Sequence, residues 1–354
     1  KDQLMTAFNP DSNGNATTIG RLVFGKNSCG NPQEWYILGA DSGVSGGKDN
    51  TIIFAASPIA RGWRFNSDRR NKNDENLWSD CVYSEKTITE VYANHYGASI
   101  LRDTLQGMAT NKSYFTSAEQ GLMNATTVTT KDTKNKDSSG NYLTYTTTDK
   151  LYALQGDYND AKKLLAGTSD STVLAMNRYW SSGDSFWLRS PFGSYVGYAL
   201  CANPGDVVRG VNVDIAYAVQ PASNLNLSSV LFASAAKAAS SGTESGTIAE
   251  GTAMALRLDG TGKDIGTVTY NTTTGDIKVV KGTTSQTVAL VVQGNDGTND
   301  WYYSKQITGT ETINVSAIEA ESNTPASINL SACKIWLEIT EDNVSYAVNT
   351  EDEI

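Results

Sequence analysis

Apolar and polar residues alternate over 21–25 (RLVFG) and 34–40 (EWYILGA), with the turn-rich KNSCGNP between them and the β-branched run TIIFAAS following at 51–57. A period of two with β-branched residues marks half-buried strands, so the chain is expected to open with a three-stranded, hairpin-type unit. The segment 58–94 is aromatic but aperiodic, and reads as long loops pinned by Trp63, Phe65, Trp78 and Tyr83. From Tyr96 the period changes: Leu101, Leu105 and Met108 fall at i, i+4 and i+7 with Ile100 beside them, the spacing of one helical face. Thr116 and Glu119 then stand at capping-box spacing, where hydroxyl and carboxylate satisfy each other's free backbone donors, so a second short helix is expected to start there.

Residues 126–148 are rich in Thr, Asp, Lys and Asn around DSSGN, and read as an exposed loop or hairpin tip. LYALQ (151–155) reads as a strand, and NDAKKLLAG (159–167) as a third helix ended by its glycine. SFWLRS, YVGYALC, DVVRGVNV and AYAVQPASNL then follow as short strands between Gly, Pro, Asn and Asp, which predicts a closing antiparallel sheet. The segment 235–251 is small, polar and free of aromatics, as a linker would be. Beyond it the pattern is purely β, with six to eight short strands separated by turns such as TTTGD and GNDGTND. The expected architecture is therefore α+β over 1–234, a linker at 235–251, and an all-β sandwich over 252–354.

Length supports two domains, since 354 residues exceed what one hydrophobic core usually organises. The formal net charge of -10 repels phosphate backbones and anionic headgroups, which argues against nucleic acid as a partner. One basic cluster, Arg61, Arg64, Arg69 and Arg70, is interleaved with Asp68, Asp74 and Glu75 and reads as a solvated loop. No stretch approaches the roughly 18 apolar residues that span a bilayer, and no charged-then-apolar leader is visible, so membrane insertion is not expected. Cys29, Cys81, Cys201 and Cys333 lie far apart, without zinc or redox spacing, and leave room for at most one bridge among the first three.

The segments TIGRLVFG, EWYILGAD, YGASILRDTL, YFTSAEQGLM, DKLYALQGDYNDAKKLL, SFWLRSP and AYAVQPASNLNLSSVLF, in that order over 17–232, resemble an uncharacterised family of bacterial surface domains. That family is similar in fold to C-type lectins and formylglycine-generating enzymes. The resemblance implies irregular loops on a small sheet flanked by two helices, with binding carried by the loops. Related sequences often carry Arg where this chain has Gln220. The C-terminal part is similar to the Ig-like modules that lie between such heads and a cell-wall anchor. Together these imply an extracellular, cell-surface protein.

The chemistry candidates are few. His95 is the single histidine, at the expected start of the first helix, where a capping or packing role is the usual one. Separated cysteines offer no thiol or copper oxidase pair. Calcium is the one cofactor considered, through the oxygen-rich runs NKNDEN (71–76) and NPGD (203–206), but the sugar-binding Glu-Pro-Asn or Gln-Pro-Asp tripeptide of calcium lectins is absent, because Gln220-Pro221 is followed by Ala222. No metal or cofactor is assigned. Trp187 is expected to pack in the core, with Arg189 donating to an acid or to backbone carbonyls. Trp180, Tyr195 and Tyr198, in the glycine-rich stretches around that strand, form the candidate ligand surface, since sugar rings and peptide side chains both stack on exposed aromatics. The function expected is adhesion or ligand recognition without catalysis, with a glycan or a protein of a host or neighbouring cell as partner. A structural stalk or surface-layer role is the alternative, and a carbohydrate-active enzyme the second.

Overall fold

A computed structural model describes residues 4, 20–44, 49–70, 72–84, 88–168, 172–174, 183–193, 195–203, 207–271 and 273–352. The chain divides into two compact units, one spanning 2–228 and one spanning 229–354. Strands take 48% of the described residues and helices only 12%. This mostly-β content overturns the α+β expectation, and the reasons are local to two segments of the first unit.

In that unit, β1 (Arg21–Lys26), β2 (Pro32–Gly39) and β3 (Asn50–Ala55) form the expected antiparallel opening. They are extended by β15 (Ala222–Asn226), which pairs with β3 across almost the whole unit. A second sheet runs β13 (Val207–Asn212), β12 (Tyr198–Asn203), β11 (Phe186–Pro191), β14 (Ala216–Val219) and β4 (Ala60–Arg64). The long threonine-rich segment is a hairpin of β6 (Thr126–Lys136) and β7 (Tyr142–Asp149), with β5 (Val82–Tyr83) on the far side of β7. Finally, β8 (Gln155–Asp157), β9 (Asp160–Ala166) and β10 (Thr172–Leu174) form a three-stranded sheet.

The segment 159–167 is thus strand β9 and not a helix. Leu164, Leu165 and Ala166 are buried in succession, because the strand has a partner on each side and is covered on both faces. A helix would present only part of that run to the core. In β6 the buried positions are Thr126, Val128, Thr130 and Asp132, which alternate as a half-buried strand should. Three of those four are polar, so the period of two is invisible to hydropathy. Residues 151–154, expected as part of a strand, are buried and form no strand: Tyr152 bridges Ala222, and the Leu154 carbonyl accepts the Arg189 N–H.

The helical expectations of 96–122 are met. Helix α1 (Ile100–Thr110) buries Leu101, Leu105 and Met108, and the Ser99 hydroxyl accepts the Arg102 N–H at its start. Helix α2 (Ser117–Leu122) carries the full capping box: Glu119 accepts the Thr116 N–H at 2.7 Å and Thr116 Oγ1 accepts the Glu119 N–H at 3.3 Å. Glu119 also accepts the Gly25 N–H, tying this helix start to β1. Within 58–94, Phe65 and Trp78 are the buried anchors, whereas Trp63 is exposed.

The unit 229–354 contains two sheets. The larger runs β16 (Val230–Ser234), β18 (Met254–Asp259), β25 (Val344–Asn349), β24 (Lys334–Glu341), β21 (Val288–Asn295), β22 (Asp300–Ile307) and β17 (Thr243–Ile248), antiparallel except for the parallel pair β18 and β25. The smaller runs β23 (Thr310–Asn314), β20 (Asp276–Lys281), β19 (Gly266–Tyr270) and β26 (Glu351–Asp352), with α3 (Val315–Glu319) after β23. Val268, Ile277, Val279 and Ile313 of the smaller sheet share one core with Leu290, Val292, Tyr303 and Leu337 of the larger. Thr243–Ile248 lies within the segment that reads as a linker, yet it is a strand paired along its whole length with β22.

Candidate functional site

Alternation along β6 decides which of its side chains face outward. The even-numbered positions from Thr126 to Asp132 are buried, which leaves Lys131 exposed and, with Thr133, on the opposite face. Lys131 and Thr133, together with Tyr142 of β7, line a cleft of about 530 Å³. Strand β8 supplies Gln155 and Asp157, the turn after it Tyr158, and the end of β11 and the residue that follows it Ser190 and Phe192. That volume is in the range of sites that take small ligands.

The aromatic wall is continuous. Phe192 meets Tyr158 edge-on at 4.8 Å and stacks on Tyr195 at 5.3 Å, and Tyr195 meets Tyr198 at 5.8 Å. Tyr158 and Tyr195 are 55% and 60% exposed, large areas of aromatic surface to leave in water. Phe192 lies against β13 where a side chain is missing: a Cβ on Gly210 would fall 2.2 Å from Phe192 Cγ. Glycine at that strand position is what gives the ring its place.

The polar floor is set from below by Arg189, which is fully buried. Its guanidinium donates to the carbonyls of Thr129 and Ala153 and to Gln155 Oε1. The Gln155 amide is thereby oriented, with its oxygen committed to the guanidinium and its NH₂ left as donor. Ser190 Oγ accepts the Gly156 N–H at 3.0 Å, so its own proton remains to donate. Asp157 is the one carboxylate among the described lining residues, and it accepts the Asn159 N–H. At the rim, Lys131 and Lys136 place their ammonium groups 5.5 and 4.5 Å from the centre of the Tyr142 ring.

Of the aromatic residues singled out from sequence, Tyr195 and Tyr198 come together beside Phe192, although neither lines the cleft. Trp180 lies outside the described residues. Sequence reading missed Tyr142, Tyr158, Phe192 and Lys131. Pro191-Phe192-Gly193 and Gly156-Asp157-Tyr158-Asn159 are turn sequences that each carry one aromatic, a signal that could have marked the second and third.

His95 lies in a closed cluster. It caps a short 3-10 turn (Tyr96–Ala98), where Nδ1 accepts the Ala98 N–H at 3.1 Å. The proton is therefore on Nε2, 2.7 Å from Tyr83 Oη, and the Tyr83 hydroxyl donates to Asp132. The ring stacks on Tyr145 at 4.0 Å and is 4% exposed. Burial lowers its pKa to about 4, and protonation at Nδ1 would set one N–H against another. The unfolded chain, with an ordinary value of 6.5, takes up a proton between pH 6.5 and 4 that the folded chain refuses. Stability accordingly falls as pH drops through that window, by on the order of 3 kcal/mol, and levels off below it. Urea titrations at pH 7, 6, 5 and 4 check this: His95→Asn, which keeps a capping acceptor, should lower stability at pH 7 but flatten its fall toward pH 4. Parallel curves for the two proteins would assign the acid sensitivity to other groups.

All four cysteines are free, and burial pushes the Cys81 thiol up to about 12 and those of Cys201 and Cys333 to about 11, which makes these three poor nucleophiles. In the basic cluster, Arg61 pairs with Asp184 and Arg69 with Asp214. Among the described residues no group of three or more His, Cys, Asp or Glu is arranged to hold a metal ion, and Asn71 and residues 204–206 of the oxygen-rich runs lie outside them. No helix of the described residues is long and apolar enough to cross a membrane.

A family model described as a domain of unknown function, DUF6273, matches residues 73–227, a span that contains every residue lining the cleft. No curated protein and no solved structure matches the chain.

Proposed function

We propose that the protein is an extracellular, cell-surface recognition protein that binds its ligand, without catalysis, in the cleft between β6, the β8–β9 turn and the end of β11. The unit 229–354 serves as its spacer. The observation that carries this reading is the aromatic run Tyr158, Phe192 and Tyr195, its two tyrosines exposed, beside a cleft whose floor is built of oriented polar groups. Aromatic faces supply contact area at low entropic cost, and a few fixed polar groups supply orientation.

The test is binding of the full chain to arrays of glycans and of host and bacterial surface proteins, with calcium and with chelator. Saturable binding is expected, and Tyr158→Ala should weaken it roughly tenfold, or about 1.4 kcal/mol. Tyr158 is exposed, so this replacement should leave the melting temperature unchanged. Absence of saturable binding to any member would sink the proposal in favour of a structural role.

A further inference from the structure

We infer that the ligand of this cleft is an acidic saccharide, a sugar carrying a carboxylate. This rests on the recognition reading above and specifies its chemistry. The cleft presents donors where a ligand would meet it: the Gln155 amide NH₂, whose oxygen Arg189 holds, and the Ser190 hydroxyl, whose oxygen already accepts the Gly156 N–H. Such a floor asks for a ligand rich in acceptor oxygens.

Charge adds a sign. In a chain of net charge -10, Lys131 lines the cleft and Lys136 stands beside it at the same Tyr142 ring, and neither has a carboxylate partner among the described residues. Asp157 is the only acid among the described residues of the lining, and the backbone N–H of Asn159 occupies one of its oxygens. Two exposed ammonium groups beside one aromatic ring, without a carboxylate partner among the described residues, are placed to receive an anion.

Shape selects the rest. Tyr158 and Phe192 meet edge-on at the wall and Tyr142 stands at the rim, so the apolar contacts are ring surfaces and not a deep aliphatic pocket. A pyranose has an apolar C–H face and a rim of oxygens, and a hexuronic acid adds a carboxylate at one end. Those features match ring faces, donors and ammonium groups in turn.

The experiment is calorimetric titration of the full chain with a panel of hexuronate oligosaccharides, each paired with the neutral oligosaccharide obtained by reducing its carboxyl groups. A set of acidic peptides of similar charge is run alongside. At least one acidic sugar is expected to bind tenfold or more tightly than its neutral partner, and that advantage should shrink as salt is raised from 50 to 500 mM. Lys131→Met should cut the ratio of acidic to neutral affinity, and adding Lys136→Met should remove it; both lysines are exposed, so the variants' circular dichroism and melting should match the parent. Tyr158→Ala should weaken both sugars alike. Equal binding of acidic and neutral sugars, or binding of the acidic peptides in place of sugars, overturns the inference and leaves ligand recognition standing. No binding to the panel, to the peptides or to any member of the arrays overturns both.

Discussion

Replacing Arg257 with alanine is expected to lower the unfolding free energy of the unit 229–354 by about 4 kcal/mol. Arg257 is 3% exposed and its partner Glu338 2%, with Nε 2.9 Å from Glu338 Oε2. The other guanidinium nitrogens donate to the carbonyls of Ser234, Ala255 and Ala236, and the Trp336 indole N–H donates to the same Glu338 oxygen. Alanine would leave a buried carboxylate with one neutral donor and three carbonyls without their guanidinium. Most of the loss is the cost of that stranded charge and not the worth of the pair, so Arg257→Met combined with Glu338→Leu should recover much of it. Arg257→Lys should recover little, because an ammonium cannot span four acceptors lying in a guanidinium plane. Chemical denaturation followed by tryptophan fluorescence would check the series, and a loss below about 1 kcal/mol for Arg257→Ala would show that water reaches this site.

The second large effect belongs to Arg102 in the unit 2–228. Its Nε donates to Asp149 at 2.8 Å, Nη2 and Nη1 donate to the two oxygens of Asp80, and Nη1 also reaches the Gly97 carbonyl. The Asp149 side chain is fully buried while that of Asp80 is 61% exposed, so the two ion pairs are not equivalent. Arg102→Ala is expected to cost about 3–5 kcal/mol, nearly all of it through Asp149, and Asp80→Ala less than about 1 kcal/mol. Burial already pushes the Asp149 carboxyl up, with Arg102 pulling the other way. Without the guanidinium, Asp149 should take up a proton on folding, so the Arg102→Ala deficit should narrow as pH falls from 7 to 5. Arg102→Ala combined with Asp149→Asn, which keeps an acceptor for the Thr147 hydroxyl, should be more stable at pH 7 than Arg102→Ala alone. Urea unfolding at the two pH values measures all four proteins, and a deficit independent of pH would show that Asp149 stays ionised without its partner.

The cleft was the least legible part of the chain. Its lining spans 131–200, in the order β6, β7, the β8–β9 turn, β11 and β12, and no two of these segments are related by a local period. The segment carrying Lys131, Thr133 and Tyr142 reads only as an exposed loop or hairpin tip, because the buried face of its strands is largely threonine and aspartate, and Tyr158 adjoins residues 159–167, which read as a helix. Arg189 is different. A strand pattern around an arginine already requires a buried set of acceptors, but only the packed structure says that those include two carbonyls and the Gln155 amide, which links a structural residue to the floor of the cleft.

Sequence alone determined the features whose physics is local. The apolar stripe and Ser99 cap of α1, the Thr116–Glu119 capping box, the opening strands and the succession of strands after residue 251 each depend on residues a few positions apart. Tertiary structure decided whatever depended on a distant partner. Residues 159–167 have the spacing and glycine stop of a helix, yet β8 and β10 supply backbone partners on both sides and turn them into a strand. Thr126, Thr130 and Asp132 are polar, yet Asp132 is buried because Tyr83 and the Lys134 and Asn135 amides satisfy it. A hydrogen bond or a packed face contributes only when its partner is present, and the sequence around a residue does not contain a partner that lies 50 or 150 positions away.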